Sequence, residues 1–425
     1  MKMLDRPRVV IVGAGFAGLW AARTLARSRA EVWLIDRNNY HTFLPLLYQV
    51  GAAEVEPEEI AYPVRRIFRH WRNIHFVMAD ANRIDLAARR VETENESIFY
   101  DYLVLATGSA THFFGVPGAA EHAFALKTLE QGIALRNHIV EQFENAARAT
   151  DPESRQRALT FVIVGGGATG VEFAGALAEL VRGPLVKDYP YLDSRASRIV
   201  LIESMDTLLS GMPDPLRAYA LSRLRQMGVD VRLDAAVREI THDAVYLRNG
   251  QVIPAETVVW TAGVRGDPKA SAWGLPTARN GRVNVMPTLQ MPDHPEIYIV
   301  GDLAGVEDDG KPLPMVAPVA IQEGVAAARN IVRQIEGKHP LSFHYRDRGT
   351  MVTLGRNAAI AQVGNRSFTG FPAWLLWVGV HLVNLIGFRN RLFVLMNWAL
   401  DYVFADRSGC LILPNDPRPH SAAHG

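Results

Sequence analysis

Two glycine turns in this chain have the residue types and the spacing to hold a pyrophosphate. The first, GAGFAG, places Gly13, Gly15 and Gly18 where a tight turn, close approach to phosphate and close helix packing each exclude a side chain. The second, GGGATG, repeats that spacing at Gly165, Gly167 and Gly170. A GxGxxG triplet alone is weak, because helix packing by itself also selects glycine. Here each triplet follows a β-branched run, RVVIV or TFVIV, and opens an Ala-rich helical pattern. That is the layout of a parallel βαβ unit whose helix N-terminus offers free N–H groups to phosphate. Each unit also has a second strand that ends in an acid. EVWLID ends in Asp36, and RIVLIES carries Glu203, where a carboxylate can accept hydrogen bonds from ribose hydroxyls. An acid rather than an arginine at Glu203 favours a free ribose hydroxyl over a 2′-phosphate, and so NADH over NADPH.

Smaller signals accompany the turns. IYIVGDLA delivers Asp302 to a strand end, where it can cap the next segment or hydrogen-bond a ribityl chain. LATGS, with Thr107 and Gly108, marks a close backbone crossing. Glu172 follows Gly170 by two residues and is read in the first turn of the second helix, either complementing the helix dipole or lying near a nicotinamide. Gln322, on an Ala-rich helix, reads by itself as a solvated polar residue.

The elements that must position these residues form an α/β fold with two Rossmann-like dinucleotide-binding domains, and 425 residues are ample for it. The second domain, 116–280, is expected to be inserted in the first, whose parts are 1–115 and 281–340. A C-terminal lobe, 341–425, follows. Within this frame a helical stretch near Pro57–His70, a polar surface linker around residues 148–154 and a return helix near Val319–Ile335 are expected. With 45 basic against 44 acidic residues, nothing points to nucleic acid. The only cysteine, Cys410, excludes disulfide scaffolds, CxxC redox pairs and cysteine-rich metal sites, and no metal is expected.

The order GAGFAG, LATGS, GGGATG, WTAG, VGDLA resembles the two-dinucleotide-binding-domain flavoproteins. NNYHTFLPLLYQVGAAEVEPEEIAYPVR, APVAIQEG and GFRNRLFVLMNWALDYVF narrow the resemblance to the type II NADH:quinone oxidoreductases, over nearly the whole chain. The resemblance implies FAD on Gly13, Gly15, Gly18, Asp36, Thr107 and Gly108, with Asp302 at the ribityl chain. It implies NADH on Gly165, Gly167, Gly170 and Glu203, and catalytic roles for Glu172, near nicotinamide and flavin, and for Gln322, on the quinone side. Some members carry a second glutamine where this chain has Pro318, so one quinone contact of the family is missing here.

The quinone, ubiquinone or menaquinone, would be reached through the tail. Ser367–Phe388 is a run of 22 residues with no Asp, Glu, Lys or Arg, long enough to cross a bilayer. Pro372, His381, Asn384 and Gly387 interrupt it, and Trp374, Trp377 and Trp398 are of the type that favours a membrane interface. Asn390, Asn397 and Asp401 share one helical face of the segment that follows. An interfacial, monotopic helix pair is therefore expected, on the cytoplasmic face of the inner (cell) membrane. A membrane span is an alternative, and so is burial within the fold or at the interface of a homodimer. No charged array for ion translocation is visible, so electron transfer without proton pumping is expected. The rival readings are a flavin reductase of a soluble acceptor and an NADH-sensing flavoprotein.

Overall fold

The computed structural model describes residues 6–193, 197–308, 310–404 and 410–412, with backbone alone for 401–404. The chain divides into two compact units, one of Met1–Thr42, Ala61–His112 and Val264–Arg348, the other of Phe43–Ile60, Phe113–Gly263 and Gly349–Gly425.

The first unit is built on a six-stranded sheet in the order Gln290–Met291, His294–Ile299, Tyr102–Leu105, Arg8–Val12, Glu31–Asp36, Ile74–Met78. All pairs but the first are parallel. The middles of its central strands are apolar because both faces are covered; Val9, Val10, Ile11 and Leu103 to Leu105 have no exposed surface. Parallel pairing brings the strand ends to one edge, with Val12 opposite both Ile35 and Leu105, and Leu105 opposite Ile299. Gly13, Asp36, Thr107 and Asp302 all leave from that edge. The helices Phe16–Leu25 and Ala317–Ile335 lie close together: a Cβ on Gly324 would stand 2.1 Å from the Ala17 carbonyl oxygen.

The second unit repeats the plan with five parallel strands in the order Phe124–Ala125, Thr257–Trp260, Thr160–Val164, Arg198–Ile202, Asp230–Arg232. Val162, Val200, Ile202 and Val258 share one apolar cluster with Val237, Val245 and Ile253 of an antiparallel three-stranded sheet. The helix Ala168–Arg182 follows the glycine turn. Further along, the strands Thr350–Thr353, Ala359–Val363 and Arg366–Thr369 form a small sheet, and two helices, Gly370–Asn384 and Phe388–Phe404, follow it.

Several expectations are corrected by this structure. Pro57–His70 is not one helix: Pro57–Ile60 and Val64–Phe68 flank an extended Ala61–Pro63 that pairs with Tyr40–Thr42. Pro63 lacks the N–H a helix needs and biases Tyr62 towards extended backbone. The stretch around residues 148–154 does lie at the surface, but only 149–151 link, forming a short break between the helices Leu129–Arg148 and Pro152–Ala158, the second capped by Asp151, whose carboxylate accepts from the Ser154 N–H at 2.9 Å. Residues 264–280 group with the first unit rather than the second, because Val264–Gly266 pairs antiparallel with Ser109–Thr111. Similarly, 341–348 stays with the first unit, where Asp308 accepts from the Tyr345 N–H at 2.8 Å.

The apolar run starts as strand, and its helix begins only at Gly370. Among the described residues no helix is long and apolar enough to cross a membrane. The second C-terminal helix has its faces reversed with respect to a soluble amphipathic helix. Asn390, 7% exposed, donates to the Glu58 and Glu59 carbonyls at 3.1 and 2.8 Å, and Asn397 donates to the Glu59 carboxylate at 2.7 Å. Phe388 is 81% and Leu392 51% exposed, and Leu395, Met396 and Leu400 are also open. The side chain of Asp401 lies outside the described residues.

Candidate functional site

The two glycine turns are built alike. Gly13 and Gly165 have φ of +104° and +113°, which favours glycine. A Cβ on Gly18 would stand 1.8 Å from the Gly13 oxygen, and one on Gly170 would stand 1.9 Å from the Gly165 oxygen, so both allow helix to pack on turn. Gly15 and Gly167 differ: their φ values are ordinary, −68° and −73°, and a Cβ would meet nothing within 4 Å. Neither strain nor packing within the protein calls for glycine there. Each stands at the N-cap of its helix, next to the free N–H groups, where close approach of a pyrophosphate is the remaining reason to omit a side chain.

The acids sit where the spacing placed them and brace the turns. Asp36 accepts from the Ala14 N–H at 2.6 Å and from the Asn38 N–H at 2.8 Å. Burial raises its pKa, with those N–H bonds pulling the other way. Glu203 accepts from the Gly166 N–H at 2.6 Å and the Met205 N–H at 2.9 Å. Carboxylate oxygens have lone pairs beyond those used here, available to ribose hydroxyls.

The first turn has further polar groups around it. The Ser109 hydroxyl donates to Asp302, which lies in the 3-10 turn Gly301–Leu303. Thr107 Oγ1 is buried with no hydrogen-bond partner among the described residues. His41, which sequence reasoning passed over, donates from Nδ1 to the Ala14 carbonyl at 2.8 Å; burial holds it neutral, with a pKa of about 4, and its Nε2 has no partner among the described residues. Unpartnered buried polar atoms beside an open glycine fit a bound dinucleotide. Glu323 was also missed. It is fully buried, accepts from the Gly301 N–H at 2.5 Å, and is pushed up to about 8 by burial. Its sequence signal is its place on the buried helical stripe of Ala320, Glu323 and Ala327.

Gln322 is not simply solvated. Its amide Nε2 donates to the Arg346 carbonyl at 3.0 Å, and its Oε1 accepts from the Arg346 N–H at 3.1 Å, pinning that segment to the helix. Pro318 lies in the first turn of the same helix, where its missing N–H costs nothing.

In the second unit, Glu172 is the fifth residue of its helix, not part of the first turn, because the helix starts at Ala168. Its carboxylate accepts from the Thr353 N–H at 3.2 Å, so tertiary contact rather than the helix dipole holds it. It lines a cavity of about 50 Å³ together with Tyr48, Gln49, Glu54, Trp377 and Trp398. That volume suits roughly three to five waters, well below the ~300 Å³ at which ligand sites begin. Burial pushes Glu172 up to about 8, against the attraction of the Thr353 N–H and of Trp377, so it is mostly protonated at neutral pH.

The cavity wall is aromatic. Trp377 is 2% exposed, stacks on His381 at 4.2 Å and packs against Trp398 at 5.3 Å; its indole N–H has no well-formed hydrogen bond among the described residues. Trp398 donates to Gln49 Oε1 at 3.1 Å, and Gln49 donates to the buried Tyr48 hydroxyl at 3.1 Å. Trp374, Trp377 and Trp398 thus all line this cavity rather than standing out at an interface. Tyr48 and Gln49 lack any local motif that would have singled them out.

Comparison with known proteins follows the same lines. The profile of the pyridine nucleotide-disulphide oxidoreductase family matches residues 7–324. The chain is 37% identical over 417 residues to the type II NADH:quinone oxidoreductase Ndh of Mycobacterium tuberculosis, covering 95% of this chain and 89% of that protein. It is 31% identical over 381 residues to the type II NADH:quinone oxidoreductase of Staphylococcus epidermidis, covering 88% and 93%. Its fold is similar to that of NDH2 from Plasmodium falciparum in complex with NADH, with a TM-score of 0.88 at 16% identity over 96% of this chain and all of that one. It is also similar to the sulfide:quinone oxidoreductase of Aquifex aeolicus, with a TM-score of 0.73 at 21% identity over 94% and 95%. By its paired glycine turns, and by identity running through both units, the chain belongs to the pyridine nucleotide-disulphide oxidoreductases and, among them, to the type II NADH:quinone oxidoreductases.

Proposed function

We propose that the chain is an FAD-containing enzyme that oxidises NADH and reduces a quinone at a membrane surface, without pumping protons. The observation that carries this is the doubled turn with an open glycine, Gly15 in one copy and Gly167 in the other, each backed by a carboxylate that braces it. Two dinucleotides in one chain imply that one is a resident cofactor and the other a substrate.

Gly13, Gly15, Gly18, Asp36, Thr107, Gly108 and Asp302 would hold FAD, which when bound supplies the hydride acceptor and the two-electron donor. Gly165, Gly167, Gly170 and Glu203 would hold NADH. The overall change is NADH, a quinone and one proton giving NAD⁺ and a quinol. We assign that proton to Glu172, protonated at neutral pH and lining a cavity large enough for the waters that would replace it. Gln322 acts through the Arg346 segment it pins.

The reversed faces of Phe388–Phe404 support docking on lipid, with Phe388, Leu392 and Leu395 presented outward while Asn390 and Asn397 bind the protein. The cytoplasmic face is the side on which NADH is available. Purified protein should show a flavin spectrum that NADH bleaches anaerobically and quinone restores. A colourless preparation that cannot take up FAD would overturn the proposal.

A further inference from the structure

The C-terminal ends of two helices in the first unit frame a groove that the proposed reaction does not use. Phe16–Leu25 runs out into Arg27 and Arg29, and Ala317–Ile335 carries Arg329 and Arg333 in its last two turns. These four arginines line a groove of about 810 Å³ together with a single acid, Glu336.

That acid is already engaged. Lys338 donates to Glu336 at 2.7 Å, and Lys338, Arg29 and Arg333 all draw its pKa down. Two of the arginines also tie backbone together, Arg29 by donating to the Ile335 carbonyl and Arg333 by donating to the His339 carbonyl at 2.7 Å. A guanidinium has five N–H donors, so both keep donors to spare. Arg27 and Arg329 are exposed and have no ion pair or hydrogen bond among the described residues. Helix ends favour a nearby cation or two, but four converge here, and Arg329 and Arg333, four apart on one helix, repel each other.

We propose that this groove binds a multiply charged phosphate group, carried either by a free nucleotide or by a lipid headgroup. Guanidinium forks match phosphate oxygens in pairs, which a lone carboxylate already held by lysine cannot satisfy. The volume falls within the range of ligand sites, so the phosphate would bring a body with it. Leu341, 58% exposed on the groove wall, offers apolar surface to that body.

The test uses the FAD-loaded protein with saturating NAD⁺, so that both glycine turns are filled. Inorganic pyrophosphate is titrated by calorimetry into the wild type and into an R27A/R329A variant. The wild type is expected to bind, more weakly as salt rises, and the variant to lose at least about tenfold in affinity. NADH oxidation with ferricyanide should be equal in the two proteins, since neither arginine is in the proposed dinucleotide sites. A second arm measures flotation with vesicles containing cardiolipin, whose headgroup carries two phosphates, and with phosphatidylcholine vesicles. Loss of flotation by the variant on the anionic vesicles alone assigns a lipid source; unchanged flotation with pyrophosphate binding lost assigns a soluble one. A wild type that does not bind pyrophosphate, or a variant that matches it in both arms, overturns the proposal.

Discussion

Replacing Glu172 with Gln keeps the acceptor for the Thr353 N–H and removes the titrating proton. With a pKa of about 8 against an ordinary 4.5, the wild-type carboxyl is about nine-tenths protonated at pH 7 and about one-tenth at pH 9. Flavin reoxidation by quinone should therefore hold level through neutral pH and fall about tenfold per unit above 8, while flavin reduction by NADH should not follow that limb. The variant should lose about 10²-fold or more in reoxidation, the usual worth of a positioned acid, with reduction changed little. The stability of the variant should move the other way, rising relative to the wild type at alkaline pH. A raised carboxyl pKa means that the unfolded chain gives up its proton first, so the wild type loses stability as pH rises from 4.5 through 8. The shift of three to four units sets that loss at no more than about 5 kcal/mol, and the Gln variant escapes it. Stopped-flow absorbance of the flavin, with the two half-reactions run separately between about pH 6 and 10, measures the kinetics, and denaturant melts at both ends measure the stability. A variant that reoxidises at the wild-type rate with the same alkaline limb would refute the role given to Glu172.

Gly15→Ala should fold normally, with stability unchanged or raised by up to about 1 kcal/mol, yet purify with little FAD; Gly18→Ala, whose Cβ meets the Gly13 oxygen, should lose about 3 kcal/mol or more. Flavin content and melting temperature separate the two, and full flavin in Gly15→Ala would count against the open-glycine argument. Glu203→Gln should narrow the preference for NADH over NADPH, read as the ratio of kcat/KM values; an unchanged ratio would show that the acid does not read the ribose. Asn390→Leu leaves the Glu58 and Glu59 carbonyls without their donor, costing about 1–3 kcal/mol, and should speed hydrogen exchange in Phe388–Phe404. Changing Leu392, Leu395 and Met396 together to Ser should leave folding intact and weaken vesicle flotation, whereas undiminished flotation would argue against lipid docking.

The dinucleotide turns were legible because their determinants are local. A β-branched run, three glycines at fixed spacing and an acid one strand later lie in one short segment, and parallel pairing does the rest. The cavity around Glu172 was not legible beyond that one residue. Tyr48 and Gln49 come from Phe43–Ile60, Glu172 from the glycine-turn helix, and Trp377 and Trp398 from the C-terminal helices, so only tertiary packing assembles them. The tail was half legible. The Asn390 and Asn397 face stands out by periodicity, but periodicity cannot say whether such a face meets water or protein, and here its donors are held by Glu58 and Glu59. The break within Pro57–His70 was missed because Glu58, Glu59, Arg65 and Arg66 all favour helix, and strand pairing with Tyr40–Thr42 overrode them.

The central claim is that one chain holds FAD and NADH and delivers the electrons to quinone. Anaerobic titration of the purified, flavin-loaded protein in lipid vesicles tests it most directly. One equivalent of NADH should bleach the flavin band, one equivalent of quinone should restore it, and the vesicle lumen should show no change in pH. A flavin that NADH leaves oxidised, or one that quinone cannot restore, would contradict the account.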